Sequence, residues 1–172
     1  VYRSATVWNK AFQEIGFPKA LEVRPYPNKD ATFDANSITR SCIRYAASPS
    51  QKITHNCWSD PYTGEMLCAN VYIPHNLASE IQLNCFLQTS AFNEKARSLT
   101  PDTTLVKEVL TSMLLKQWGY CLGLTDNMAG STAYPIDSLR NKEFVMQHGL
   151  SASVMDELPA NYLLNEALYR EG

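Results

Sequence analysis

Charge is scarce in this chain of 172 residues, and so are glycine and histidine. Charged residues make up only 19%, below the usual quarter, which excludes a solvated helical rod or a coiled coil. The net charge is −2 and no two basic residues are adjacent, so neither nucleic acid nor an anionic membrane is expected as a partner. No apolar run approaches the ~18 residues of a membrane span. Val1-Tyr2-Arg3-Ser4 lacks the charged-then-apolar layout of a signal peptide. The seven glycines form no phosphate-cradling loop, and no G-x-S-x-G elbow is present. The histidines, His55, His75 and His148, lie too far apart in sequence for a helix-spaced pair of metal ligands. What is plentiful is apolar residues, at 45%, enough for the core of one globular domain.

The five cysteines, Cys42, Cys57, Cys68, Cys85 and Cys121, include no C-x-x-C pair, which argues against a zinc knuckle or a thioredoxin-type site. Cys57 and Cys68 flank a turn and can face each other across a hairpin, but buried free thiols are the favoured reading. The odd count leaves at least one free thiol or an intermolecular bridge, and the redox compartment stays open.

Hydrophobic periodicity predicts a helix over residues 2–15, with Val7, Trp8, Ala11, Phe12 and Ile15 on one stripe and Gly16 and Pro18 behind it. It starts almost at residue 1 without a capping lead-in, as expected of a domain within a longer chain. Residues 20–24 alternate like a strand, as do residues 38–46. Runs 53–58 and 65–73 flank Asp60-Pro61-Tyr62-Thr63-Gly64, which is strong turn chemistry. A short helix is expected over 77–90. The longest helical pattern follows, with Leu105, Val106, Val109, Leu110, Met113, Leu114 and Trp118 on a broad apolar face. Asp102 or Thr103 can cap its start, and Gly123 is its natural left-handed stop. A loop-rich tail, a short helix ending at Gly149 and a last helix at 159–169 complete the chain. The order of elements predicts a mixed sheet backed by helices, in the α/β or α+β class.

The segment Lys116-Gln117-Trp118-Gly119-Tyr120-Cys121-Leu122-Gly123-Leu124-Thr125-Asp126-Asn127 has a distinctive frame. Gly119, Leu122-Gly123-Leu124 and Asn127 stand at the spacing of H-E-x-x-H-x-x-G-x-x-H, and Ser151-Ala152-Ser153-Val154-Met155-Asp156 resembles a Met-turn. In these features the chain resembles the metzincin zinc metallopeptidases. Trp8-Asn9-Lys10-Ala11-Phe12, Asp60-Pro61-Tyr62-Thr63-Gly64-Glu65, Asn127-Met128-Ala129-Gly130-Ser131 and Tyr134-Pro135-Ile136-Asp137 are similar to a branch found in large secreted bacterial proteins. The resemblance implies one metzincin-like domain over residues 1–172. It would have a twisted mixed sheet of four to five strands, a backing helix at 2–15 and a former active-site helix at about 103–122. It also implies that active relatives hold zinc and that the parent protein is secreted or belongs to the cell envelope.

The chain departs from the motif at its chemical positions. On the resemblance, Lys116, Tyr120 and Asp126 stand where the zinc-binding histidines belong, and Gln117 replaces the catalytic Glu. An ammonium has no lone pair for a metal, a phenol with pKa ~10 is a poor neutral-pH ligand, and an amide cannot take a proton from water. Asp126 is the residual candidate ligand, and no metal or other cofactor is expected. Lys116 and Asp126 can form an ion pair in the metal's stead, Gly123 turns the chain between them, and Met155 is expected beneath the site. The function expected is an inactive homologue, a pseudopeptidase that binds an extended peptide or protein, or scaffolds other domains of its own chain. Peptide would lie along a sheet edge formed by residues 53–58 or 65–73. Two alternatives stand: an active enzyme with displaced ligands (His75, His148, Cys121, Asp126), and a purely structural domain.

Overall fold

A computed structural model describes residues 1–91 and 93–157. Helix α1 spans Tyr2–Glu14, and strand β1 spans Cys42–Ala46. The hairpin β2 (Thr54–Ser59) and β3 (Met66–Pro74) follows. Helices α2 (Leu77–Thr89) and α3 (Thr103–Cys121) come next, then two short helices, α4 (Ile136–Arg140) and α5 (Lys142–His148). The sheet is mixed, in the order β1-β3-β2, with β1 parallel and β2 antiparallel to β3. No described helix is long and apolar enough to cross a membrane.

The hairpin forms where turn chemistry demands it. Asp60 Oδ1 accepts from the amides of Tyr62 and Thr63, and Gly64 supplies a φ of 73°. Alternation along the strands then separates two faces. Ile43, Cys57, Ala69, Val71 and Ile73 pack with Leu114 and Cys121 of α3 and with Leu77 and Ile81 of α2. Asn56, Trp58, Cys68, Asn70 and Tyr72 occupy the opposite face, together with Arg44. Asp102 caps α3 as expected, accepting from Leu105 N at 2.8 Å. Fully buried Gln82 fixes the approach to that cap. Its amide donates to Lys95 and Ser98 carbonyls and accepts from Asp102 N, so no polar atom of the amide is stranded. Helices α1 and α3 exchange indole hydrogen bonds, Trp8 Nε1 to Leu115 O and Trp118 Nε1 to Ser4 Oγ, both at 2.9 Å.

Several expectations are corrected. The described sheet has three strands, not four or five, because residues 20–24 pair with no strand. The Asn9 side-chain amide instead accepts from Leu21 N and donates to Leu21 O, both at 2.8 Å, taking the bonds a neighbouring strand would supply. Residues 38–41 form a turn, closed by Arg40 N on Ser37 O, so β1 starts late. Strand β3 is central, which leaves β2 as the hairpin's free edge. Cys57 pairs with Ala69 and Cys68 with Trp58, so the two thiols lie on opposite faces of the hairpin and cannot bridge. All five cysteines are free. Asn141, extended and capping α5 through Phe144 N, splits the helix expected before Gly149 into α4 and α5. The helix expected at 159–169 lies outside the described residues.

Asn9→Ala removes both bonds to Leu21 together. We expect a loss of about 1–3 kcal/mol, read from urea denaturation midpoints. An unchanged midpoint would mean that this side chain does not anchor residues 20–24.

Candidate functional site

The site is built at the C-terminal end of α3. Lys116 and Tyr120 lie four residues apart and so share one face, one turn apart. Beyond them the helix stops in a Schellman arrangement. Leu124 N donates to Gly119 O and Gly123 N to Tyr120 O, with Gly123 at φ 85°. That left-handed step suits glycine and turns the chain back on itself. Asp126 thereby returns to the helix face.

There its Oδ1 takes two partners. Lys116 Nζ approaches at 2.9 Å, and the Tyr120 hydroxyl donates a short hydrogen bond to the same oxygen. Glu157 Oε1 stands 3.4 Å from the ammonium on another side. Lys116 Nζ is shielded from solvent and makes these contacts as ion pairs, without a hydrogen bond of good geometry. From β2, His55 stacks on the Tyr120 ring with centroids 4.6 Å apart and planes 15° from parallel. His55 Nδ1 lies 2.9 Å from Gln117 Oε1, and since an amide oxygen only accepts, the imidazole carries its proton on Nδ1. Gln117 thus ties the helix to the edge strand.

Beneath this cluster, Met155 is 3% exposed and packs against Gly119. A Cβ at position 119 would run into the Met155 sulfur and come within 3.1 Å of its methyl carbon. A side chain here would force the Met155 thioether to move, so the fit at position 119 is one of space, not of backbone angle. The turn carrying Met155 is tied internally by Ser151 Oγ on Asp156 Oδ2 and by Met155 N on Ser153 Oγ. It is tied to the chain after α3 by Asn127 N on Met155 O. Beside Tyr120 a cleft of about 450 Å³ opens between β2 and the post-helix loop. His55, Asn56 and Cys57 form one wall, and Gly123, Leu124, Thr125 and Asp126 form the other.

Electrostatics follow from these contacts. The hydrogen bond from Tyr120 and the adjacent Lys116 ammonium hold the Asp126 carboxyl below its usual range. Burial alone would push the Lys116 ammonium down, but Asp126, Tyr120 and Glu157 together outweigh it and the net shift is upward. Burial, and then the bond to Asp126, push the Tyr120 phenol up against the opposing pull of Lys116. The cluster is therefore a charged pair with a neutral phenol. Burial, reinforced by neighbouring Cys57, raises the Cys121 thiol to about 12, which leaves it no thiolate character near neutrality.

These residues do not fit a zinc ion. Lys116 offers charge of the wrong sign, Tyr120 keeps its proton, and Asp126 spends its inner oxygen on both. The displaced-ligand set is not brought together either. His75 pairs with the Tyr45 hydroxyl, His148 lies against the Phe144 ring, and Cys121 is buried in the core. Among the described residues no three His, Cys, Asp or Glu side chains assemble into a metal-binding group. Sequence reasoning missed His55. Its signal was the alternation of residues 53–58, which puts His55 and Cys57 on the helix-facing side of β2.

Residues 98–168, which include α3, the turn at Gly123 and the Met155 segment, match the sequence model of a family described as Met-zincin. Over that stretch the chain is metzincin-like. No curated protein and no solved structure matches the chain. The family's description implies zinc as the metal of active relatives.

The cluster predicts a pH window for stability. Asp126, with its pKa depressed, contributes above about pH 4 and loses that contribution as pH falls through its lower folded value. Lys116 and Tyr120, with theirs raised, contribute below about pH 10 and lose it as pH rises through their folded values. Urea denaturation across pH should show a plateau between these limits, with a shallower acid limb in Asp126→Asn. Identical acid limbs in both proteins would show that Asp126 is not held by its neighbours.

Proposed function

We propose that this metzincin-like domain is a pseudopeptidase, in which a lysine ammonium occupies the role of the metal and the cleft is kept for binding. The observation that carries the reading is the Lys116–Asp126–Tyr120 cluster, whose three residues, on the resemblance, stand in for the zinc ligands. Gln117 supports it. With its amide oxygen engaged by His55, it is a tether and has no basicity with which to activate water.

The cleft beside the cluster supports the binding half of the proposal. Its wall is the free edge strand β2, whose outer backbone groups are a ready template for another extended chain. Main-chain pairing of this kind needs no metal. The open cleft favours this reading over a purely structural domain whose own side chains would fill the groove. The partner we propose is an extended peptide segment, from another protein or from another domain of the same longer chain. The setting we propose is a secreted or cell-envelope protein.

Fluorescence anisotropy with a library of labelled, extended peptides tests this, with mass spectrometry of the peptides afterwards. Wild type should bind a subset and leave it intact. Thr125→Trp, which fills the exposed cleft wall, should weaken binding by about tenfold or more, the equivalent of ~1.4 kcal/mol. Cleavage of the bound peptide by wild type, abolished by Asp126→Asn, would overturn the inactive reading. Absence of any peptide binding would overturn the binding role.

A further inference from the structure

The face of the sheet turned away from α3 carries a second cavity, of about 260 Å³, which shares only Asn56 with the cleft. Arg44, Asn56, Trp58, Asn70 and Tyr72 line it, with the loop at 36–38 as its rim. Strand alternation puts these side chains together. Cys42 and Arg44 of β1 pair with Asn70 and Tyr72, while Asn56 and Trp58 of β2 pair with Asn70 and Cys68. Arg44, Asn56, Trp58, Asn70 and Tyr72 thus bring amide, aromatic and guanidinium groups together where a sheet covered by a core would carry aliphatic ones. Arg44 is the one charged residue in the lining, and no carboxylate faces it there.

The guanidinium is only half engaged. Its Nη1 donates to Asn36 Oδ1 at 2.8 Å, and its plane lies over the Tyr72 ring, 5.7 Å from the centroid. These contacts fix its orientation. Its Nε is shielded from solvent and meets no acceptor among the described residues. Buried N–H groups of this kind normally hold a partner, and one on a charged group is costly to leave without one. The edge left without a described acceptor is that of Nε and Nη2, the fork that matches two carboxylate oxygens, and Nε is covered in the unliganded protein. The same fork on Arg24 of this chain is filled in that way, by Glu22 at 2.9 and 2.8 Å. Of the other polar lining groups, Asn70 is engaged on both sides, by Cys42 N and by Cys68 Sγ, while no described hydrogen-bond partner meets the side chains of Asn56, Trp58 and Tyr72. The Trp58 indole is 53% exposed, and the Tyr72 hydroxyl and Asn56 amide border the cavity.

We infer that this cavity is a carboxylate-binding site. A ligand carboxylate takes the Nε/Nη2 fork of Arg44, and its carbon body lies against Trp58 and Tyr72. Asn56 and the Tyr72 hydroxyl serve polar groups on that body. The cavity, about 260 Å³, has room for roughly eight or nine water volumes at ~30 Å³ each, which suits one sugar-acid ring or one acidic side chain. Arginine suits the role better than lysine would, because the planar fork sets direction as well as charge.

The test is a titration followed through the Arg44 Nε–H resonance in ¹⁵N–¹H spectra of the whole chain. Glucuronate and glutarate are the two probes, and glucose and glutaramide are their neutral counterparts. We expect one carboxylate at least to move the Arg44 Nε–H and Trp58 indole resonances together and saturably. The neutral counterparts should leave both in place. The tighter of the two acids tells whether the carboxylate comes on a sugar or on a peptide side chain. Arg44→Lys should weaken binding by about tenfold or more, since charge is kept and the fork is lost. The wild-type Nε–H is read directly, so the test does not depend on that variant folding. A resonance unmoved by either acid, or moved equally by the neutral compounds, overturns the proposal. Undiminished binding in a folded Arg44→Lys protein overturns it as well.

Discussion

The arrangement around the end of α3 depends on one shielded ammonium. Lys116 holds Asp126, Asp126 holds the Tyr120 hydroxyl, and the chain between them must double back at Gly123 for this to happen. The bend brings Asn127 to the Met155 carbonyl, and Met155 fills the space that a residue other than glycine would take at 119. In a zinc enzyme of this frame the metal would draw helix and loop together. Here a side chain of the helix does so.

The two solutions differ in energy far more than in shape. A structural zinc contributes on the order of 10–16 kcal/mol of folding energy in small domains, whereas a shielded ion pair contributes close to nothing after desolvation. The ion cluster therefore specifies geometry and leaves stability to packing. The structure carries the means for that in the apolar faces of α2 and α3 against the sheet, the exchanged indole bonds of Trp8 and Trp118, and the buried amide of Gln82. The Tyr120 ring, stacked on His55, adds a contact from the helix end to the edge strand.

Local chemistry was legible from sequence, and long-range partnership was not. The turn at 60–64, the Asp102 cap and the stop at Gly123 are properties of a few adjacent residues, and they fall where their residue types demand. The Lys116–Asp126 pair was legible because the motif frame relates the two positions. Residues 20–24 were misread because their alternation is real but the partner is the side chain of Asn9, an amide on a helix. His55 was missed because 62 residues separate it from Gln117, and the alternation of residues 53–58 gives its side of the strand but not its partner. The open fork of Arg44 escaped for the same reason, since only the strand register puts it among aromatic and amide side chains.

The central claim is that an ammonium has taken the place of the metal, and zinc content tests it most directly. Purified protein would be incubated with excess Zn²⁺ at neutral pH, exchanged into metal-free buffer and measured by atomic emission, beside an Asp126→Ala variant. The account predicts far less than one zinc per chain in both, with no difference between them. About one tightly held zinc per chain in the wild type, lost in Asp126→Ala, would show a working metal site and contradict it.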